Sequence, residues 1–323
     1  MVRLLRWALV LVLLLATLPL LAVAGVVAWA NTESGQARLA AFASSQVPGL
    51  SIQGLRGPLP SAAGAERITM ADADGVWLTV DRARLAVDYS ALLRGVLRIE
   101  AVEAGRVEVS RPPLPSAEAP PPKPEPASGG VLPRLPQLPV AIALDRLAVD
   151  RLEIGEAVAG VPAALAFKAD AFLGDGALRA SLDARRLDAE GSAALDLRLE
   201  PAEDRLHAKA TLREGPDGVV PALLQQAGKP FSLDLRLEGP ASGAALDLRA
   251  GLGPDLTLAA NGTVRAGADG SAGATLDGSA QVGPLLPPDV APLVGEAEFS
   301  LDADLGADRR ATVRRLSLRV PAA

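Results

Sequence analysis

The sequence predicts a mainly β protein: an amino-terminal transmembrane helix, then a curled, repetitive antiparallel β-sheet forming a trough, with a few short helices. Three observations carry this. Runs alternating apolar with polar residues recur from Ile68 to Val320, the period of strands with one dry and one wet face. The 31 glycines and 27 prolines are more punctuation than a helical bundle tolerates. Hydrophobic residues make up 49% of the chain and aromatics only 3%, so the apolar mass is Ala, Leu and Val. That suits a thin layer better than the thick core of a sandwich.

Residues 1–30 read as a cytoplasmic tip and a signal-anchor helix. Trp7 to Ala30 carries no charge over 24 residues, and about 20 apolar residues suffice to cross a bilayer. Arg3 and Arg6 precede the run, and Trp7 and Trp29 sit near its ends as interfacial anchors. Positive-inside logic leaves the amino terminus in the cytoplasm and sends the rest across. Ala22-Val-Ala24 is an acceptable signal-peptidase site before Gly25. The apolar run continues past it through Val26, Val27 and Trp29, which favours a retained span. Residues 31–64 hold a juxtamembrane amphipathic helix and a loop. Leu39, Phe42, Ala43 and Val47 fall near one face of Ser34–Val47, and Pro48-Gly49 ends the helix. Short and barely basic, it is expected to cap the open end of the sheet rather than lie on a membrane surface.

Residues 65–111 form a first β-meander. Asp74-Gly75 is a tight-turn dipeptide between Ile68–Met70 and Val76–Val80. Leu85/Val87, Leu97/Ile99 and Val107/Val109 alternate with polar or small neighbours, and the phase is lost around Val102–Gly105, where a turn or bulge belongs. Residues 112–139 hold 11 prolines and form a linker that cannot pair inside a sheet. Residues 140–323 are a repetitive strand region. Arg-Leu-Ala-Val-Asp at 84–88 returns at 146–150, and Leu-Asp-Leu-Arg-Leu-Glu at 195–200 returns at 233–238. Val219–Gln226 and Leu285–Val294 break the pattern as short helices or loops. A sheet this long with one apolar face must be covered, closed on itself, or offered to a ligand. The dry positions Leu195, Leu197, Leu199, Leu233, Leu235 and Leu237 are the candidate groove lining.

The Ile-Thr-Met-Ala-Asp-Ala-Asp-Gly-Val-Trp-Leu run at 68–78 and Ala91-Leu-Leu-Arg-Gly-Val-Leu-Arg-Ile resemble the amino-terminal region of the TamB family, within the AsmA-like superfamily. So do Val107-Glu-Val-Ser-Arg-Pro-Pro-Leu-Pro, Asn31-Thr-Glu-Ser-Gly-Gln, Gly54-Leu-Arg-Gly-Pro-Leu and Leu147-Ala-Val-Asp-Arg-Leu-Glu-Ile-Gly-Glu. The resemblance implies a single-pass inner-membrane protein with its bulk in the periplasm, acting in outer-membrane biogenesis as part of a translocation and assembly module. It implies two mechanisms: phospholipid transport along an apolar groove, or a scaffold for outer-membrane proteins with a TamA-like barrel as partner. A plain anchored structural domain is the third alternative. Family members are much longer and contact the outer-membrane partner through a carboxy-terminal region. Some fifteen strands stacked about 4.8 Å apart reach on the order of 70 Å, so the chain is expected to be a truncated portion.

Chemistry is sparse. With no cysteine, disulfides, thiolate catalysis and Cys-ligated metals are excluded. The formal charge of −6 and the lack of a basic stripe argue against nucleic acid. His207 is the single histidine, flanked by Leu206 and Ala208, and reads as a solvent-face residue. Asp72 and Asp74 read as turn residues beside Gly75. Gly262–Gly278 lacks the Lys-Ser/Thr pair of a phosphate loop and the strand-to-helix context of a dinucleotide site. Asp183, Asp196, Asp234 and Asp247 read as solvated strand positions. No catalytic, metal or cofactor constellation emerges, so the expectation is a protein that is not an enzyme and takes no cofactor, with membrane lipids as partners.

Overall fold

In a computed structural model, the described residues are 28–114, 138–240, 242–254, 256–266, 271–281, 296–306 and 310–320. The amino-terminal part comprises α1 (Glu33–Gln46), β1 (Leu50–Gln53), β2 (Ala62–Asp72), β3 (Gly75–Asp88), a 3-10 turn (Tyr89–Arg94), β4 (Val96–Ala104), β5 (Arg106–Val109), β6 (Ala141–Ile154) and α2 (Glu156–Ala159). There follow β7 (Ala163–Gly174), β8 (Ala177–Arg186), β9 (Gly191–Glu200), β10 (Arg205–Glu214), α3 (Val219–Leu223), β11 (Phe231–Gly239) and β12 (Ala244–Leu252). The last are β13 (Leu256–Ala266), β14 (Ala272–Gln281), β15 (Glu296–Leu305) and β16 (Ala311–Arg319).

All sixteen strands join one curled sheet, and their order in space is their order in the chain. β4 and β5 share one place between β3 and β6, broken at Gly105 where the alternation loses phase. That leaves fifteen positions across the sheet, a stack of about 70 Å at the usual strand spacing. The first meander and the later strand region are therefore one hydrogen-bonded body.

The antiparallel expectation needs one correction. β6 runs parallel to β4 and β5, with Leu97 beside Ile142 and Val107 beside Leu152. Parallel neighbours need a long crossover, and the Pro-rich stretch supplies it; its residues 115–137 lie outside the described ones. The expected break at Leu285–Val294 lies outside them too, whereas Val219–Leu223 is helical as expected.

The start of the chain differs from expectation in two ways. β1 and the first half of β2 occupy what reads as loop, because Ala62-Ala-Gly-Ala gives no apolar–polar contrast. In α1, capped by Thr32, whose hydroxyl accepts from Gly35 N–H at 3.1 Å, the buried residues are Gly35 and Ala40. Phe42 and Val47, expected on the packed face, are 64% and 41% exposed. The helix does stand beside β1 at the edge of the sheet. No helix among the described residues is long and apolar enough to cross a membrane; the span expected at residues 7–30 lies outside them except for Ala28–Ala30.

Candidate functional site

The sheet sorts its side chains into two faces, and the registers show how completely. Across β8 to β13 one row reads Leu182, Leu195, Ala210, Leu235, Leu248, Ala260. The next reads Ala180, Leu197, Ala208, Leu237, Leu246, Gly262. The apolar face continues through Phe167 and Val149 to Val80 and Ile68 at one end, and through Phe299 and Leu318 at the other. All six candidate leucines lie on it. β10 stands between the two leucine-rich strands and contributes Ala208 and Ala210, so its small side chains leave a shallow furrow between taller rows.

Among the described residues there is neither a second sheet nor a helical layer over this face. Leu199, Leu206 and Ala244 form a buried nucleus at one rim, with Leu178 and Leu237 packed against it. The remaining candidates, Leu195, Leu197, Leu233, Leu235 and Leu237, are only half-buried. A closed core would bury them.

A charged residue on the apolar face escapes notice in the sequence. Arg186 registers with Leu165, and its side chain is 7% exposed. It grips Asp188 with two hydrogen bonds, 2.8 and 2.9 Å, and this holds the Asp188 carboxyl below its usual range. Nearby, Glu214 accepts from the backbone of Val219 and Val220 at 3.1 and 2.8 Å and so caps α3. These groups fasten the rim segments to the sheet.

The opposite face is a lattice of ion pairs. Arg67–Asp81 (2.8 Å), Arg98–Asp145 (2.7 Å), Arg106–Glu153 (2.5 Å), Arg179–Glu200 (2.6 Å) and Arg213–Asp234 (2.7 Å) each join neighbouring or nearby strands. Hydrogen bonds from arginine lower the Glu153 and Glu200 carboxyls. Asp72 does more than the turn role expected of it. It accepts from Asp74 N–H at 2.9 Å, from Leu114 N–H at 2.8 Å and from both terminal nitrogens of Arg111, which holds its carboxyl far below the usual range. A cleft of about 1020 Å³ lies between the polar side chains of Arg179, Asp196, Arg198, Glu200 and His207, all on this polar face. His207 stands 3.9 Å from Asp196. Asp183, Asp196, Asp234 and Asp247 all project to this side. Of the anchor residues, Arg3, Arg6 and Trp7 lie outside the described residues, and Trp29 is 42% exposed.

Residues 20–159 match the family model for TamB, N-terminal domain. The amino-terminal portion of the chain is similar to the TamB N-terminal domain. No curated protein and no solved structure matches the chain. The matched portion takes in α1, α2 and every strand from β1 to β6. The regular strands from β7 to β16 lie beyond the matched residues and prolong the same two faces.

Proposed function

We propose that this chain is an inner-membrane-anchored periplasmic groove protein that carries phospholipid between membranes during outer-membrane biogenesis, without catalysis. The observation that supports this most is the apolar face, continuous across the whole strand order and half-buried rather than sealed. Each buried methylene is worth about 0.8 kcal/mol, so part of one acyl chain along Leu195, Leu197, Leu235 and Leu237 is held usefully. Movement along the face stays easy, because hydrophobic contact has no preferred direction. The match to TamB and the uncharged run before Ala30 support the anchored, periplasmic placement.

A photo-crosslinking residue at Leu197 or Leu235 in cells tests the conduit. Phospholipid should be captured there and not from Arg198 or Arg236, which the register puts on the opposite face. Capture from neither face in a folded protein refutes it. Membrane fractionation with intact-mass measurement tests the anchor; a soluble species starting at Gly25 removes it.

A scaffold for outer-membrane proteins, with a TamA-like barrel as partner, is the second reading. β16 favours it: the strand is exposed at every position from Ala311 to Arg319, and among the described residues its outer edge pairs with no strand, so another strand can extend it. Capture of outer-membrane protein at Leu197 or Leu235 would decide for that reading.

A further inference from the structure

The short turn Tyr89–Arg94 turns apolar side chains outward where a tight connection would ordinarily be polar. Leu93 is 93% exposed, Leu92 41% and Tyr89 45%, while Ala91 at 1% roots the turn in the sheet. The turn is held firmly. Asp88 caps its start, accepting from Ser90 N–H at 2.9 Å and Ser90 O–H at 2.6 Å. Gly95 ends it at φ +74°, donating to Leu92 C=O at 2.9 Å, and its own carbonyl accepts from Ala141 N–H at 2.8 Å. Leu93 is therefore presented, not merely loose.

The same structure ties this turn to the end of the uncharged run. Trp29 C=O accepts from the Thr32 hydroxyl at 2.7 Å, and it lies so close to α1 that a Cβ at Gly35 would sit 2.0 Å from it. Two residues on, the Asn31 amide exchanges hydrogen bonds with Leu59, donating to its C=O and accepting from its N–H, both at 2.7 Å. Gln36 bonds Gly57 C=O at 3.1 Å. The segment so clamped also carries Pro60, whose C=O accepts from Tyr89 O–H at 3.5 Å, and Ser61, whose C=O accepts from Val87 N–H at 2.7 Å. A short chain of direct contacts thus joins Trp29 to the exposed turn.

We infer that Tyr89–Arg94 is a membrane-contacting foot that rests in the bilayer surface beside the anchor. This rests on the reading of residues 7–30 as a span, whose last residues are linked to this turn through Thr32, Asn31 and the Leu59–Ser61 segment. The partner is a lipid surface because the patch has the composition of an interface: leucines to enter the acyl boundary, Tyr89 and Trp29 at headgroup depth, and exposed Arg94 to reach phosphate. An anchor alone leaves the sheet free to swing. Anchor and foot together give it a fixed attitude and place the amino-terminal end of the apolar face against the lipid.

The chain lacks cysteine, so single labels test the foot directly in the full chain reconstituted into phosphatidylethanolamine/phosphatidylglycerol vesicles. An environment-sensitive fluorophore is attached to Trp29→Cys, Leu93→Cys or Leu223→Cys, and lipid-borne nitroxide quenchers are added. Leu223 is 64% exposed on α3, which joins β10 to β11 at the opposite rim. The labels at 29 and 93 should show blue-shifted emission that is lost on quenching, and the label at 223 should show neither. Quenching at 29 but not at 93 overturns the foot and leaves the anchor standing. Quenching at none of the three overturns both. Equal quenching at 93 and 223 means the sheet lies flat, and the foot is again overturned. Leu93→Asp, at a site with little packing to lose, should lower the quenching of a label placed at Leu92→Cys while the circular dichroism is unchanged; an unchanged quenching argues against insertion.

Discussion

The two parts of this sheet are built to different rules. From β1 to the β6–β7 pair the ladder is interrupted at Met70/Ala71, Ala86/Val87, Leu144/Leu147 and Val149/Leu152, and Arg82 holds φ at +55° inside a strand. From the β7–β8 pair to the β14–β15 pair no register shift occurs; the next is at Asp302/Ala303. The irregular part coincides with the residues that match TamB. Bulges pin register, since a slip of one residue would exchange the faces. The regular part relies on its apolar alternation to do the same. One region is specified position by position, the other by repetition.

The largest effect that would test this contrast comes from placing a charge on the apolar face. Leu235→Asp and Leu197→Asp should each cost about 2–4 kcal/mol in denaturant unfolding, because a half-buried carboxylate has no partner there. They should agree with each other, as befits equivalent places in a repeat. Leu85→Asp, on the same face of the irregular part but 41% exposed, should cost less than about 1 kcal/mol. A loss at Leu85 as large as at Leu235 would erase the distinction.

Next in size is the spacing of strands. A Cβ at Gly262 would stand 1.9 Å from Thr275 C=O, whereas at Gly64 the nearest atom is 3.6 Å away. Gly262→Ala should destabilise by about 1–3 kcal/mol, and Gly64→Ala should be neutral or stabilising by a few tenths. The pair of thermal melts reverses in order if the regular strands are the looser ones.

The Asp72–Arg111 pair sharpens the comparison through pH. Its carboxyl titrates lower in the folded than in the unfolded chain, so its contribution is complete above the unfolded value near 4 and is lost as pH falls toward the depressed folded value. The melting temperatures of the parent and Arg111→Gln should differ most at neutral pH and converge below about pH 4. A difference that grows in acid contradicts the pairing. The smallest effect is expected from Asp234→Asn. Arg213 reaches both oxygens of Asp234, but both side chains are nearly half exposed, and the change should be about 0.5 kcal/mol or less.

Much of this was legible in the sequence, and the repeated words show why. The two Arg-Leu-Ala-Val-Asp copies fall on β3 and β6, either side of β4, and Arg84 and Arg146 both reach Glu103, at 3.6 and 3.1 Å. The two Leu-Asp-Leu-Arg-Leu-Glu copies flank β10 in the same manner. Alternation is local and survives as face assignment, so Leu235 and Arg236 could be sorted from sequence. The parallel step at β4–β6 could not, because direction is settled by where a long connection lands. Nor could Arg186, which follows Arg185 in sequence and differs from it only in parity. β1 and the Ala62–Ala65 half of β2 carried too little polarity contrast to register. The exposed Leu93 was hidden for the opposite reason: in sequence it resembles any core leucine.

The strand order has a consequence for how the molecule comes apart. From β7 to β15 each strand is bonded only to its two neighbours in the chain, and among the described residues β1 and β16 do not meet. Such a sheet is nearly one-dimensional, and its stability is a sum of neighbour terms with no closing contact to make it all-or-none. Within the described strands, opening that begins at β16 can pass inward strand by strand, with amide exchange slowing toward β6. The unzipping should stall at β6, since the crossover ties that strand to β4 and β5 across more than thirty residues of chain. The amino-terminal part, which holds the residues that match the TamB model, would then be the last to open.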